Sequence, residues 1–242
     1  MVTLRREHVM MDADQTAAYA VRVPAGNVDL DADLAVPFGV RGLVAFAHGS
    51  GSSRHSPRNR QVAAALQRAG YATLLMDLLT AAEEQVDQQT RELRFDIAFL
   101  ARRLTAAVDW LAGRDETGSL PLAVFGASTG AAAALVTAAE RAGRVRLVIS
   151  RGGRPDLAGD ALARVTAPTL LVVGGADLEV LRLNREAAAR MTTDVDLQVV
   201  PGATHLFAEP GALEDVIDLA VAALDRHLPS NPEDPTAERS SQ

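Results

Sequence analysis

No cysteine occurs anywhere in the 242 residues. Disulfides, thiolate nucleophiles and cysteine-based zinc or iron–sulfur sites are therefore excluded. Lysine is missing too, because all 24 basic residues are arginine. A Schiff-base lysine and the lysine of a phosphate-binding P-loop go with it. Aromatic residues make up only 4% against 48% hydrophobic residues, so the core must be built from Ala, Val and Leu. No run approaches the roughly 20 apolar residues that cross a bilayer. The basic residues of MVTLRREHVMMDADQ lead into no apolar stretch, so no signal peptide is read there. The expectation is a cytoplasmic protein without a membrane partner. A formal net charge of −7 argues against nucleic acid as a partner.

What is present alternates. Extended segments are expected at 19–23, 28–36 and 41–47. The second alternates apolar and polar residues as a half-buried antiparallel strand does, with Leu30, Ala32, Leu34 and Val36 on one face. The third, GLVAFAHG, is almost continuously apolar, as a strand buried on both faces reads. Ser56 and Pro57 then open a helix that Gly70 stops. YATLLM (71–76) reads as a strand, and Leu93, Ile97, Leu100, Leu104, Val108 and Leu111 as one stripe of a long helix. Strands at PLAVFG, VRLVIS, PTLLVVG and DLQVV alternate with helical stretches up to His227. Such alternation predicts an α/β fold, a mostly parallel twisted sheet with helices on both faces. The reading is an N-terminal extension over 1–18, one domain over 19–228, and a disordered tail over 229–242, rich in Pro, Ser and charge.

The strongest local signal is Gly126-Ala127-Ser128-Thr129-Gly130, between a strand and an Ala-rich helix. In that setting G-x-S-x-G is a nucleophile elbow, a sharp turn that lifts the serine hydroxyl above the sheet edge. A serine needs a base, and the base a third group to orient it. Two later strands run into loops that supply both: GGAD brings Asp177 and PGATH brings His205. All three candidates fall at the same edge of the sheet, where open α/β folds bind ligands. Glu179 is a rival acid, and Asp177 could instead cap the next helix. An oxyanion hole would use the backbone N–H of Thr129 and one from His48-Gly49-Ser50-Gly51, with Ser50 preferred and Gly51 the alternative. His48 is expected to brace that loop rather than to catalyse. Arginines gather near the same edge, Arg54 and Arg58 on one side and Arg151 and Arg154 on the other. Arg54 and Arg151 are the candidates for contact with an anionic substrate.

With HGSGSSR, GASTG, GGAD and GATH in that order, the chain resembles the α/β-hydrolase superfamily, and within it the dienelactone hydrolase family, over about residues 20–228. The resemblance implies a compact, lidless hydrolase of esters or lactones, without metal or organic cofactor. Dienelactone hydrolases in the narrow sense use a cysteine nucleophile, and here Ser128 stands at the elbow. The expectation is therefore a serine esterase acting on small-molecule esters or lactones. Few residues lie between the strand ending at Ser150 and the one starting at Thr169, so no cap domain is expected. Other acyl transfer on the same triad, as in a thioesterase, amidase, acyltransferase or perhydrolase, stays open at this point. So does a non-catalytic binding protein on the same fold, and the oligomeric state is not legible.

Overall fold

In GLVAFA every residue is buried, and successive side chains face opposite ways. Leu43, Ala45 and Ala47 enter one hydrophobic cluster, and Val44 and Phe46 enter another. LAVFGA repeats the division, with Leu122 and Val124 on the first side and Ala123 and Phe125 on the second. A sheet that feeds a core on each face needs helices on both. A computed structural model describes residues 10–11 and 16–229 of the chain and has this architecture.

Nine strands form one sheet. They are β1 (Met10–Met11), β2 (Thr16–Ala25), β3 (Val28–Pro37), β4 (Gly42–Ala47), β5 (Tyr71–Met76), β6 (Leu122–Ala127), β7 (Val145–Arg151), β8 (Thr169–Gly174) and β9 (Val195–Val200). Their order across the sheet is β1-β2-β3-β5-β4-β6-β7-β8-β9. The first three are antiparallel to their neighbours, and β5 through β9 run parallel. The helices are α1 (Pro57–Arg68), α2 (Ala81–Thr90), α3 (Ile97–Ala112), α4 (Thr129–Glu140), α5 (Leu178–Ala188) and α6 (Ala212–His227). Side chains of α3 and α4 build the first cluster, and those of α1 and α6 build the second. The helix α4 is buried along nearly its whole length, which explains its alanines, since the sheet and α3 leave no room for larger side chains.

Two boundaries and one whole helix stand out against the sequence-based expectation. The domain begins at least at Thr16, and residues 10–11 add an edge strand, so part of the expected extension belongs to the sheet. The rest of that extension, and residues 230–242 of the expected tail, lie outside the described residues. The long helix starts at Ile97 rather than Leu93, because the Asp96 carboxylate caps it by accepting from the Phe99 N–H at 2.9 Å. Leu93 sits in a separate 3₁₀ turn (Leu93–Phe95). Finally, α2 has no apolar stripe to announce it. It is set by a capping box in which Thr80 and Glu83 satisfy each other's backbone N–H groups.

Between β7 and β8 the chain forms only a short 3₁₀ segment, Pro155–Arg164, and no cap domain. No helix among the described residues is long and apolar enough to cross a membrane.

Candidate active site

Ser128 links β6 to α4 with φ 51° and ψ −121°, a conformation that side chains rarely adopt. The turn holds it there from both sides. Its N–H donates to the Arg151 carbonyl at 3.3 Å, and its carbonyl accepts from Ala131 and Arg154 N–H groups at 3.1 and 3.0 Å. The flanking glycines are required by close approach. A Cβ on Gly130 would lie 2.2 Å from the Ala47 carbonyl oxygen, and one on Gly126 would lie 2.4 Å from Ala131 Cα.

Asp177 and His205 come from the loops after β8 and β9, which are stitched together by their backbones. The Gly175 N–H donates to Val200 at 2.8 Å, and the Ala176 N–H to Ala203 at 2.9 Å. The result is a 2.7 Å hydrogen bond between His205 Nδ1 and Asp177 Oδ2. With Nδ1 occupied by the carboxylate, Nε2 is the nitrogen left to accept a proton. The rival acid Glu179 is turned away, paired with Arg182 at 2.6 Å on the surface.

His205 is fixed from behind as well. Phe207 takes a positive φ of 51° and buries its ring beside Gly152. Thr204 donates through both its N–H and its hydroxyl to Glu209, at 3.1 and 2.6 Å.

Ser128 and His205 line one cavity of about 250 Å³, together with Ser50, Asn59, Arg58 and Arg151. Neither the Ser50 nor the Thr129 N–H is committed to a backbone carbonyl among the described residues, which leaves both available to an oxyanion. The Ser50 loop is held by His48. This buried imidazole bonds the Gly49 carbonyl through Nδ1 at 2.9 Å and accepts from the Leu78 N–H through Nε2 at 3.0 Å. Burial pushes the His48 pKa below its ordinary value and keeps the ring neutral, as an acceptor nitrogen must be. Gly49 itself allows the loop to approach, since a Cβ there would meet Ser128 Cβ at 3.0 Å.

The arginines divide differently from expectation. Arg54 does not reach this cavity. Its guanidinium pairs with Asp77 and lies 3.7 Å from Asp33, and its N–H donates to Asp77 at 2.7 Å, so its charge is spent on the neighbouring loop. It lines instead a larger adjoining cavity of about 500 Å³, whose wall includes Asp31, Asp77 and Glu84. Arg154 is bonded to Asp156 at 2.7 and 2.8 Å. Arg151 does line the cavity of Ser128, and the second arginine there is Arg58. Asn59 was not anticipated either. The sequence carried a signal for it, a polar residue on the buried stripe that Val62, Ala63 and Leu66 continue along α1.

The dienelactone hydrolase family profile matches residues 31–228. The chain belongs to the dienelactone hydrolase family. Among solved structures, this family member is similar to the dienelactone hydrolase of Anabaena variabilis ATCC 29413, with 55% identity and a TM-score of 0.87 over 88% of this chain and 99% of that one. It shares its fold with a dienelactone hydrolase-like promiscuous phosphotriesterase from metagenomic libraries, at 20% identity and TM-score 0.72, covering 88% of this chain and 99% of that one. Two Mycobacterium tuberculosis proteins, from strains H37Rv and CDC 1551, are each 57% identical over 208 residues and are provisionally named phosphoribosyl transferases. The match covers 86% of this dienelactone hydrolase family chain but 46% of those proteins, so the chain spans about half the length of the curated relatives it matches.

Proposed function

We propose that this chain is a cytoplasmic serine hydrolase that cleaves carboxylic esters or lactones of small acids through an acyl-enzyme on Ser128. The observation that carries the reading is one cavity wall holding both Ser128 and His205, with His205 already bonded to Asp177. In this scheme Ser128 Oγ attacks the substrate carbonyl as His205 Nε2 takes its proton. The negative charge that develops on the carbonyl oxygen is met by the Ser50 and Thr129 N–H groups. His205 then returns the proton to the leaving alkoxide, and the C–O bond to the alcohol breaks. A water molecule, deprotonated in turn by His205, attacks the acyl-enzyme and frees Ser128. Asp177 keeps the proton of the imidazole on Nδ1 and stabilises the imidazolium between steps.

Family membership supports hydrolysis, and the modest cavity supports short acyl groups. The transferase name belongs to proteins about twice as long, and we assign hydrolase chemistry to the half matched here. The test is turnover of short p-nitrophenyl esters by the wild type and by Ser128→Ala, with a fluorophosphonate probe and peptide mapping alongside. Turnover lost in the variant, with label on Ser128, is the expected result. Label without turnover would redirect the triad to another acyl donor, such as a thioester or amide. Neither label nor turnover would overturn the reading and leave a ligand-binding protein on this fold.

A further inference from the structure

The cavity of Ser128 holds positive charge that no carboxylate among the described residues pairs with. Arg151 is 8% exposed, yet its Nη1 is buried without a hydrogen-bond partner among the described residues. Arg58 Nε is in the same condition, and neither guanidinium forms an ion pair among the described residues. The other arginines near this edge, Arg54 and Arg154, each have a carboxylate. Burial and the nearby charge of Arg58 push the Arg151 pKa down to about 10, which leaves it a buried cation at neutral pH facing a second one. A buried charge with no partner is costly unless a ligand completes it.

Three further features point the same way. The N-terminus of the twelve-residue helix α1 opens on this cavity through Ser56, Arg58 and Asn59, adding the positive end of its dipole. The Asn59 carboxamide, 2% exposed on that wall, has its oxygen unpartnered, and a half-turn of the group would present its NH₂ instead. Arg151 also stands at the end of β7 beside the elbow, its carbonyl bonded to the Ser128 N–H. An anion bound there would therefore sit within one small substrate's length of the reacting serine.

We propose that this cavity binds a phosphate monoester group, as a dianion held between Arg151 and Arg58, and that the ester substrate of Ser128 is a phosphorylated small molecule. The charge decides between oxyanions. A carboxylate would neutralise one guanidinium and leave its neighbour unpaired, whereas a phosphate dianion bridges both and has an oxygen left for the Arg58 N–H, the one amide in the first turn of α1 without an acceptor among the described residues. The phosphate is held and not transferred; the bond broken is the carboxylic ester at Ser128. The inference about substrate class rests on the hydrolase reading, but the binding site itself does not.

The binding test accordingly uses the full chain carrying Ser128→Ala, which cannot turn over. Inorganic phosphate and propionate are titrated by calorimetry at a pH where phosphate is the dianion. Phosphate is expected to bind once per chain, at least about tenfold more tightly than propionate, and to weaken at least about tenfold in each of Arg151→Gln and Arg58→Gln. Arg58 is only half-buried, so its variant keeps the test decisive if the Arg151 variant does not fold. Absence of phosphate binding, or binding in both variants as tight as in the Ser128→Ala parent, would overturn the site. Propionate binding as tightly as phosphate would overturn the dianion assignment. In the wild type, phosphate is expected to inhibit p-nitrophenyl ester turnover competitively. Binding to Ser128→Ala without such inhibition would overturn the link to the ester substrate while leaving the anion site standing.

Discussion

His48 Nε2 accepts the Leu78 N–H at 3.0 Å, which ties the loop after β4 to the end of β5 from inside the protein. The same ring bonds the Gly49 carbonyl, so one neutral imidazole sets where the Ser50 N–H points. His48→Ala leaves the Leu78 N–H buried without an acceptor, at a cost of about 1–3 kcal/mol. Under the proposed mechanism it should also lower kcat more than it raises KM, because the Ser50 N–H would then serve the transition state rather than the ground state. Urea unfolding and steady-state kinetics on a p-nitrophenyl ester read both effects.

The same residue predicts a pH dependence of stability. The pKa of His48 is depressed in the folded protein, chiefly by burial, although Asp77 and Glu84 pull the other way. As pH falls below the ordinary value of 6.5, the unfolded chain takes up a proton that the folded chain refuses. Stability attributable to His48 is therefore full above 6.5 and declines as pH drops toward the depressed folded value. His48→Gln should show a smaller loss of Tm between pH 7.5 and 5.5 than the wild type. Equal losses in the two proteins would count against this account.

Asp177→Asn keeps the shape of the loop but removes the charge that holds the proton on His205 Nδ1. A loss of about 10⁴ in kcat is expected, with little change in Tm. Glu179→Gln, which removes only a surface partner of Arg182, should leave kcat within about twofold of wild type.

Arg151 is expected to trade stability for binding. Replacing it with Met removes an unpaired buried charge and keeps the length of the side chain. The ligand-free variant should melt about 2 °C or more above wild type, the shift expected for roughly 1 kcal/mol in a domain of this size. A lower Tm would mean that its packing outweighs its charge.

The turn at Ser128 has no slack. Gly130→Ala would drive a methyl group into the Ala47 carbonyl, at 2.2 Å, and must displace β4 from α4. Loss of soluble, folded protein is expected, whereas Gly143→Ala meets nothing within 4 Å and strains only a positive φ of 83°. Expression and circular dichroism of the two variants separate the effects.

Much of this was legible because period and chemistry agree. The runs of β4, β6 and β8 are buried at every residue, and Ser128 and Asp177 stand just past two of them, while His205 follows β9, whose alternating DLQVV still reads as a strand. The helix α2 escaped because AAEEQVDQQT offers only one large apolar residue, Val86, and that one is exposed. The start of α3 was displaced because Leu93 continues the spacing of a helix that Asp96 actually begins. Arg54 and Arg58 are equivalent as letters. What separates them is Asp77, which arrives from another strand and claims Arg54, and no spacing along the chain reveals that. The support of His205 by Phe207 and Gly152 is likewise a contact between distant segments.

Ser128 and His205 belong to regions of different depth. The serine stands between β6, buried at every residue, and α4, which is nearly as enclosed. The histidine follows β9, an edge strand that is mostly half-exposed. Amide hydrogens around Ser128 should exchange only when the whole domain opens, while those from β9 into the His205 loop should exchange through local fluctuation. Under the proposed function, mild denaturant would then silence activity before the domain unfolds: Ser128 stays in place while His205 drifts away.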